Sequence, residues 1–340
     1  MIAPDLAYSR RTWHLNHASD VESNVLRGMD LFCGAGGSSL GARGADIELV
    51  CSIDMDQIAT ATYRDNFPNA EVVNKRLEDV SLPSLKKAVG SVDVILASPE
   101  CTNHTCAKGS APRSEASRAT ALSVVEYAKV FRPRWLVIEN VVQMRPWSRY
   151  GEFKSALEAL GYHLGEQILN AMDFGVPQSR RRLFLVGDLK GPPNLVTYKQ
   201  RGPKRSVRSI LDPVGSWPTT PLRIERRAAD TLARADRAIA NVGGNEPFLI
   251  VYYGTDGSGG WQALNRPLRT ITTVDRFALV RPTDDGHVMR MLQVPELRTA
   301  MGFDRSYKFE HGTRRDKVRL LGNGVCPPVM KKVVEALTRD

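Results

Sequence analysis

Hydrophobic residues in the first half of the chain fall into short unbroken runs, each followed by a stretch in which they recur at helical spacing. Met29-Asp30-Leu31-Phe32 is the first run; it enters the turn Cys33-Gly34-Ala35-Gly36-Gly37, and a helix is expected from Ser38. Leu49-Val50-Cys51-Ser52-Ile53 predicts a second strand ending at Asp54, with a helix through Ile58, Ala61 and Tyr63 after it. Further strands are expected at Val92–Ala97, Trp135–Ile138 and Leu183–Val186, separated by helices over Ala119–Phe131 and Phe153–Leu160, the latter bounded by Gly161. Runs that are apolar throughout suit strands covered on both faces. Strands alternating with helices predict a largely parallel sheet between two helical layers. The expected fold is doubly wound α/β.

Beyond Gly187 the pattern loosens. Prolines at 192, 193, 203, 213, 218 and 221 and glycines at 243, 244, 254, 257, 259 and 260 alternate with many lysines and arginines. Four regions are expected: an N-terminal extension over 1–27, the α/β domain over 28–189, a smaller, loop-rich basic domain over 190–317, and a segment over 318–340 that returns to the first domain. Composition adds little to this, with 42% hydrophobic and 25% charged residues, as in ordinary globular proteins. No run approaches the roughly 18 apolar residues that span a bilayer, and the first residues lack the apolar core of a secretory signal. A cytoplasmic protein without membrane partners is expected. Charge changes the picture more: a formal net charge of +10 and an isoelectric point near 9.5 call for a polyanionic partner. The five cysteines (33, 51, 101, 106 and 326) are odd in number and form no CxxC pair, which argues against a disulfide framework or a zinc ribbon.

The strand–turn–helix at Asp30–Leu40 presents backbone N–H groups at a helix N-terminus, a feature common to nucleotide, flavin and methyl-donor sites. Asp54, at the end of the second strand, suits ribose hydroxyls, and Asp79 suits an adenine amino group. Together they point to an adenosine-containing cofactor, although each acid alone could equally be a helix cap. Ala97-Ser98-Pro99-Glu100-Cys101 displays a thiol on the loop after a buried strand, where nucleophiles are commonly carried. Cys101, His104 and Cys106 lack a second ligand pair, so no metal is expected. Glu139 follows an apolar strand in register with the cysteine strand; it is either a partly desolvated proton donor or a solvated strand end. In Gln178-Ser179-Arg180-Arg181-Arg182, alternation sends Arg180 and Arg182 to one side, where two guanidiniums suit a carbonyl, phosphate or carboxylate, or simply form a charged edge.

In this order the motifs resemble the C5-cytosine DNA methyltransferase family over nearly all of residues 28–340. Asp30–Gly37 resembles its first cofactor motif, Glu139-Asn140-Val141 its Glu-Asn-Val motif, and Gln178–Arg182 its Gln-x-Arg-x-Arg motif. Arg290-Met291-Leu292 with Pro295-Glu296 and Met301-Gly302-Phe303 resembles its penultimate motif, and Gly322-Asn323-Gly324-Val325 its last. Asp54 stands where the family usually has glutamate. The resemblance implies S-adenosylmethionine, held by Asp30, Phe32, Gly34, Gly36, Gly37, Asp54, Met55, Asp79, Val80, Asn323 and Val325. It also implies Cys101 as nucleophile, with Glu139, Arg180 and Arg182 as catalytic partners. The nucleophile motif departs from the usual Pro-Cys-Gln: Glu100 replaces the proline and Thr102 the glutamine, and a carboxylate beside the thiol opposes thiolate formation.

The activity that the resemblance implies is methyl transfer to C5 of a cytosine flipped out of double-stranded DNA. The basic region would recognise the target sequence, with Lys108, Arg113, Arg201, Lys204, Arg205 and Arg208 as DNA contacts. A cognate restriction endonuclease is a partner the resemblance allows. A monomer is expected, since each motif needed for one site lies in one chain. Two other readings stay open: a cytosine methyltransferase acting on RNA, and a catalytically idle DNA-binding relative.

Overall fold

The computed structural model describes residues 25–99, 120–197, 202–253 and 259–339. Its larger sheet is built from β1 (Leu26–Leu31), β2 (Ile47–Asp54), β3 (Glu71–Asn74), β4 (Val94–Ala97), β5 (Trp135–Asn140), β6 (His163–Asn170) and β7 (Arg181–Asp188). The strand order is β3-β2-β1-β4-β5-β7-β6, with β7 antiparallel to both neighbours and the remaining pairs parallel. Side chains alternate between the two faces within each run. Met29, Leu31, Ile95, Ala97, Leu136 and Ile138 pack on one layer, formed by α3 (Leu82–Val89), α4 (Ser123–Phe131) and α5 (Tyr150–Ala159). Val94, Leu96, Val137 and Phe184 pack on the other, which includes α1 (Gly37–Arg43) and α2 (Gln57–Asn66). This is the doubly wound arrangement expected from the unbroken apolar runs.

Several details differ from the expected elements; β3 and α3 stand where the apolar pattern assigns no strand or helix. The helix expected over Ala119–Phe131 opens with a 3-10 turn at Thr120–Leu122 before α4 begins at Ser123, and Ala119 lies outside the described residues. Strand β6 has no counterpart among the expected strands. It occupies the sheet edge, is half-buried along most of its length, and carries Glu166 and Gln167 in mid-strand, which hides the apolar signal.

The proline- and glycine-rich stretch holds a second, five-stranded sheet as well as loops. Its order is β10-β9-β11-β12-β8, formed by β8 (Thr220–Pro221), β9 (Phe248–Val251), β10 (Trp261–Ala263), β11 (Phe277–Thr283) and β12 (Gly286–Met291). Helix α6 (Ala229–Val242) places Ala235 and Ala238 against Phe248, Ile250, Ala278 and Val280 on one face. On the other face Leu249, Val251, Phe277 and Leu279 join the core of the larger sheet.

Three helices complete the chain: α7 (Val294–Ala300), α8 (Arg314–Asn323) and α9 (Pro327–Leu337). The last packs on α1 at contact distances only glycine allows. A Cβ at Gly41 would stand 2.6 Å from Met330 Cβ, and one at Gly37 would stand 2.3 Å from the Val325 carbonyl oxygen.

Candidate active site

Strand order reverses between β1 and β4, and a crevice at such a switch point is where doubly wound sheets bind ligands. Chain reversal there requires Phe32 (φ 58°), Gly34 (φ 51°) and Gly36 (φ 85°) in the left-handed region. The turn is fastened by Cys33 N–H to the Ile53 carbonyl (3.1 Å), Gly36 N–H to the Cys33 carbonyl (2.8 Å) and Gly34 N–H to Asp54 Oδ2 (2.9 Å). The three glycines serve different ends. Gly34 fronts open space, leaving the backbone accessible to a ligand, whereas Gly36 makes room for Tyr307 and Phe67, and Gly37 for Val325. Asp30 lies wholly buried beneath, accepting the Ser39 hydroxyl at 2.6 Å.

The turn opens onto a cleft of about 350 Å³. Of the residues expected around a cofactor, Phe32, Gly34, Gly37, Asp54, Met55, Asn323 and Val325 line it. Asp30 and Gly36 lie behind the wall. Asp79 and Val80 are not in the lining either: the 3-10 turn Leu77–Asp79 puts Leu77 and Glu78 there, with Asp79 exposed. Asp54 accepts from Gly34 N–H and, through Oδ1, from Asp56 N–H at 2.8 Å; burial raises its pKa against those two hydrogen bonds. Asp56 caps α2 and pairs with Arg319, and its pKa is lowered because that pairing and the cap bonds outweigh burial. Arg319, Phe303 and Ser98 also line the cleft, although none of them is among the expected site residues. Phe303 stands in the Met301-Gly302-Phe303 motif and Ser98 directly after β4, whereas no motif marks Arg319.

At the other end of the cleft, β5 and β7 deliver Glu139 and Arg182. Glu139 is 4% exposed and its Oε1 stands 3.0 Å from Arg182 Nε, yet that oxygen is not aligned for a hydrogen bond and remains able to accept one. Burial raises the Glu139 pKa; Arg182, Arg180 and the Ser98 hydroxyl oppose the rise. Asn140 donates from Nδ2 to the Pro99 carbonyl at 3.1 Å and accepts from Val141 N–H at 2.8 Å, so β5 fixes the start of the segment leading to Cys101.

Arg180 is 2% exposed and does not line the cleft. Its guanidinium donates to the carbonyls of Ile271 (2.9 Å), Gly322 (2.7 Å) and Gly324 (2.9 Å), holding the turn that presents Asn323 and Val325. Gln178 acts similarly, accepting from Ile271 N–H at 2.9 Å and donating to the Ala300 carbonyl at 3.1 Å.

Cys101, Lys108, Arg113 and Arg201 lie outside the described residues, as do Glu100 and Thr102. Lys204 pairs with Asp173 at 2.9 Å, Arg208 with Glu246 at 2.9 Å, and Arg205 reaches the Gly175 carbonyl at 3.4 Å. Among the described residues no cluster of three or more His, Cys, Asp or Glu is placed to hold a metal, and no helix is long and apolar enough to cross a membrane.

Residues 26–339 match the C-5 cytosine-specific DNA methylase family. Type II methyltransferase M.XorII of Xanthomonas oryzae pv. oryzae is 33% identical over 208 residues, 58% of this chain and 49% of that protein. The tRNA (cytosine(38)-C(5))-methyltransferase of Mus musculus is 28% identical over 172 residues, 49% of this chain and 41% of that one. Among solved structures, the Dnmt2 methyltransferase of S. pombe shares the fold, with a TM-score of 0.67 at 18% identity over 92% of this chain and 98% of that one. The chain spans 40% to 52% of the length of four of the curated relatives it matches, and 96% of type II methyltransferase M.HindV of Haemophilus influenzae, to which it is 26% identical over 92% of its own length.

Proposed function

The chain belongs to the C-5 cytosine-specific DNA methylase family, and from this premise we propose that it transfers a methyl group from S-adenosylmethionine to C5 of cytosine within a specific duplex DNA sequence. The observation that carries the reading is the buried Glu139–Arg182 pair, which shares one cleft with the glycine turn and with Ser98-Pro99, two residues short of Cys101.

The residues fit the methyl donor. The open face of Gly34 admits a ligand against the backbone, Asp54 retains lone pairs for ribose hydroxyls, and Asn323 and Val325 close the far side. Leu77 and Glu78 take the adenine end in place of Asp79. When bound, S-adenosylmethionine supplies an electrophilic methyl group. Cytosine C5 is too weak a nucleophile to take it directly, so the protein must first make the ring electron-rich.

The Cys101 thiolate adds to C6, forming a C–S bond and moving the C5=C6 electron pair toward C5. Glu139, whose pKa burial raises, donates to N3 so that negative charge does not build on the ring. Arg182 orients Glu139 and stabilises the O2 side. Arg180 acts as a positioning residue through the Gly322–Gly324 turn. Once C5 has taken the methyl group, with S-adenosylhomocysteine as the leaving group, water takes the C5 proton, the C5=C6 bond re-forms, N3 returns its proton to Glu139, and the thiolate leaves. A stacked cytosine cannot reach this cleft, so the base is flipped into it, with residues 190–317 serving as the target-recognition domain. A single chain supplies every group the reaction needs, and a cognate endonuclease would be a separate partner.

The test is trapping on a duplex library containing 5-fluorocytosine, with S-adenosylmethionine present. Fluorine blocks the final elimination, so a covalent complex is expected that vanishes in Cys101→Ala and whose DNA reveals the target sequence. The mouse relative's tRNA substrate motivates a parallel RNA arm. Methyl transfer to RNA with none to any duplex would replace the DNA reading, and transfer to neither would leave an idle relative.

A further inference from the structure

The cations that the sequence marks as DNA contacts are largely neutralised where they are described. Lys204 faces Asp173 and Arg208 faces Glu246, while Arg205 reaches a carbonyl; Arg223, outside that set, faces Asp236. A second basic surface carries two arginines, Arg237 and Arg266, that face no carboxylate among the described residues. Between the C-terminal half of α6 and strand β10 lies a groove of about 480 Å³ lined by Arg237, Asn241, Trp261, Asn265, Arg266 and Arg269, with no carboxylate among the described lining residues. Arg237 is held by the Gly259 carbonyl at 3.0 Å, a neutral acceptor that orients the guanidinium without cancelling its charge. Arg266 is exposed. Trp261, half-buried, forms the apolar wall between them.

The groove is also tied to the catalytic cleft through the backbone. Leu268 N–H donates to the Pro177 carbonyl (2.9 Å), Ser179 N–H to the Leu268 carbonyl (2.7 Å), and the Thr270 hydroxyl to the Ser179 carbonyl (2.8 Å). The segment carrying Arg266 and Arg269 is thus zipped to Gln178–Ser179, three residues before Arg182 in the cleft wall. Three residues of extended chain cover at most roughly 10 Å.

Resting on the reading of the chain as a DNA methyltransferase, we propose that this groove holds the phosphate backbone of the duplex beside the target cytosine, with Arg237 and Arg266 as the phosphate ligands. The chemistry fits that partner. The two guanidiniums of Arg237 and Arg266, beside the indole of Trp261, suit a repeating phosphodiester, and the backbone bonds to Gln178–Ser179 place the segment carrying Arg266 beside the strand that supplies Arg182. Such contacts set the position of the duplex and leave sequence reading to other groups.

The experiment is duplex binding as a function of KCl concentration, for wild type, Arg266→Ala, Arg237→Lys and Arg237→Gln, with a thermal melt of each to show that it folds. Loss of one phosphate contact lowers the slope of log K against log salt by about 0.9 and weakens binding roughly fivefold at 0.15 M salt. That change is expected in Arg266→Ala and Arg237→Gln, with Arg237→Lys close to wild type. Arg208→Ala and Arg223→Ala, whose charges are already matched, should keep the wild-type slope. Unchanged slopes in the groove variants, or equal losses in the two matched arginines, would overturn the proposal. A slope change on RNA alone would overturn the duplex as partner. Binding is read without methyl transfer, so wild type that binds DNA through these arginines yet never methylates it would sink the enzymatic reading and leave the groove standing.

Discussion

Asp30 shows how much one buried group can govern. One of its oxygens takes the Ser39 hydroxyl, and the other is buried with no hydrogen-bond partner. Burial first, and then the neighbouring Asp54, push its pKa up from 3.8 to about 7, against the Ser39 hydrogen bond. A carboxyl whose pKa is higher in the folded state favours folding most when protonated. Its contribution is therefore complete below pH 3.8 and is lost as pH rises to 7, at about 1.4 kcal/mol per unit. Asp30→Asn cannot titrate. Relative to wild type, its unfolding free energy should improve by about 4 kcal/mol between pH 4 and pH 8, measured by urea unfolding across that range. A difference independent of pH would mean that Asp30 does not carry the titration. For Glu139 the expected consequence is catalytic: Glu139→Gln should lower kcat by about 10²–10⁴-fold while equilibrium dialysis shows S-adenosylmethionine still bound. A variant near wild-type rate would remove Glu139 from the mechanism.

At the scale of elements, legibility depends on how local the cause is. The turn at Cys33–Gly37 and the strand ends at Asp54 and Glu139 can be read because a short apolar run followed by a polar residue is a local signal. Arg180 shows the opposite. Alternation puts it on the side of Arg182, and both lie close enough to Glu139 to pull its pKa down. Yet its partners, Ile271, Gly322 and Gly324, are at least 91 residues away in sequence, so nothing local distinguishes a buried clamp from a catalytic cation. Asp79 stands outside the cleft lining for a local reason, since the 3-10 turn commits Leu77 to the core and leaves Glu78, one residue early, at the cleft. Arg180→Met should strand three carbonyls and cost about 3–5 kcal/mol, with a matching drop in cofactor affinity because Asn323 and Val325 lose their support. Arg181→Ala, exposed on the same strand, should cost under about 0.5 kcal/mol. Comparable losses in the two variants would refute the clamp.

Across the whole molecule, the second sheet is the part least visible in the sequence. Its strands are two to seven residues long and separated by prolines and glycines, so no run is long enough to show a period. Its attachment to the first sheet is a matter of packing that only the assembled chain reveals. Leu249, Val251, Phe277 and Leu279 share one continuous apolar cluster with Ala42, Phe184 and Val329 from the larger sheet and its helices. Gln178 and Arg180 add buried hydrogen bonds across the same contact. Exposing that cluster costs about 25 cal/mol per Å² of apolar surface, which couples the unfolding of one part to the other. The two sheets should therefore unfold together. In single-tryptophan variants that retain either Trp135, buried in β5, or Trp261, at the edge of the second sheet, the urea midpoints should agree with each other and with far-UV circular dichroism. If the Trp261 transition came first, with β5 still folded, the second sheet would be an independent module and the shared core a weak contact. Coincident transitions would mean that damage to the second sheet is felt at Glu139 and Arg182 as lost stability of the whole chain.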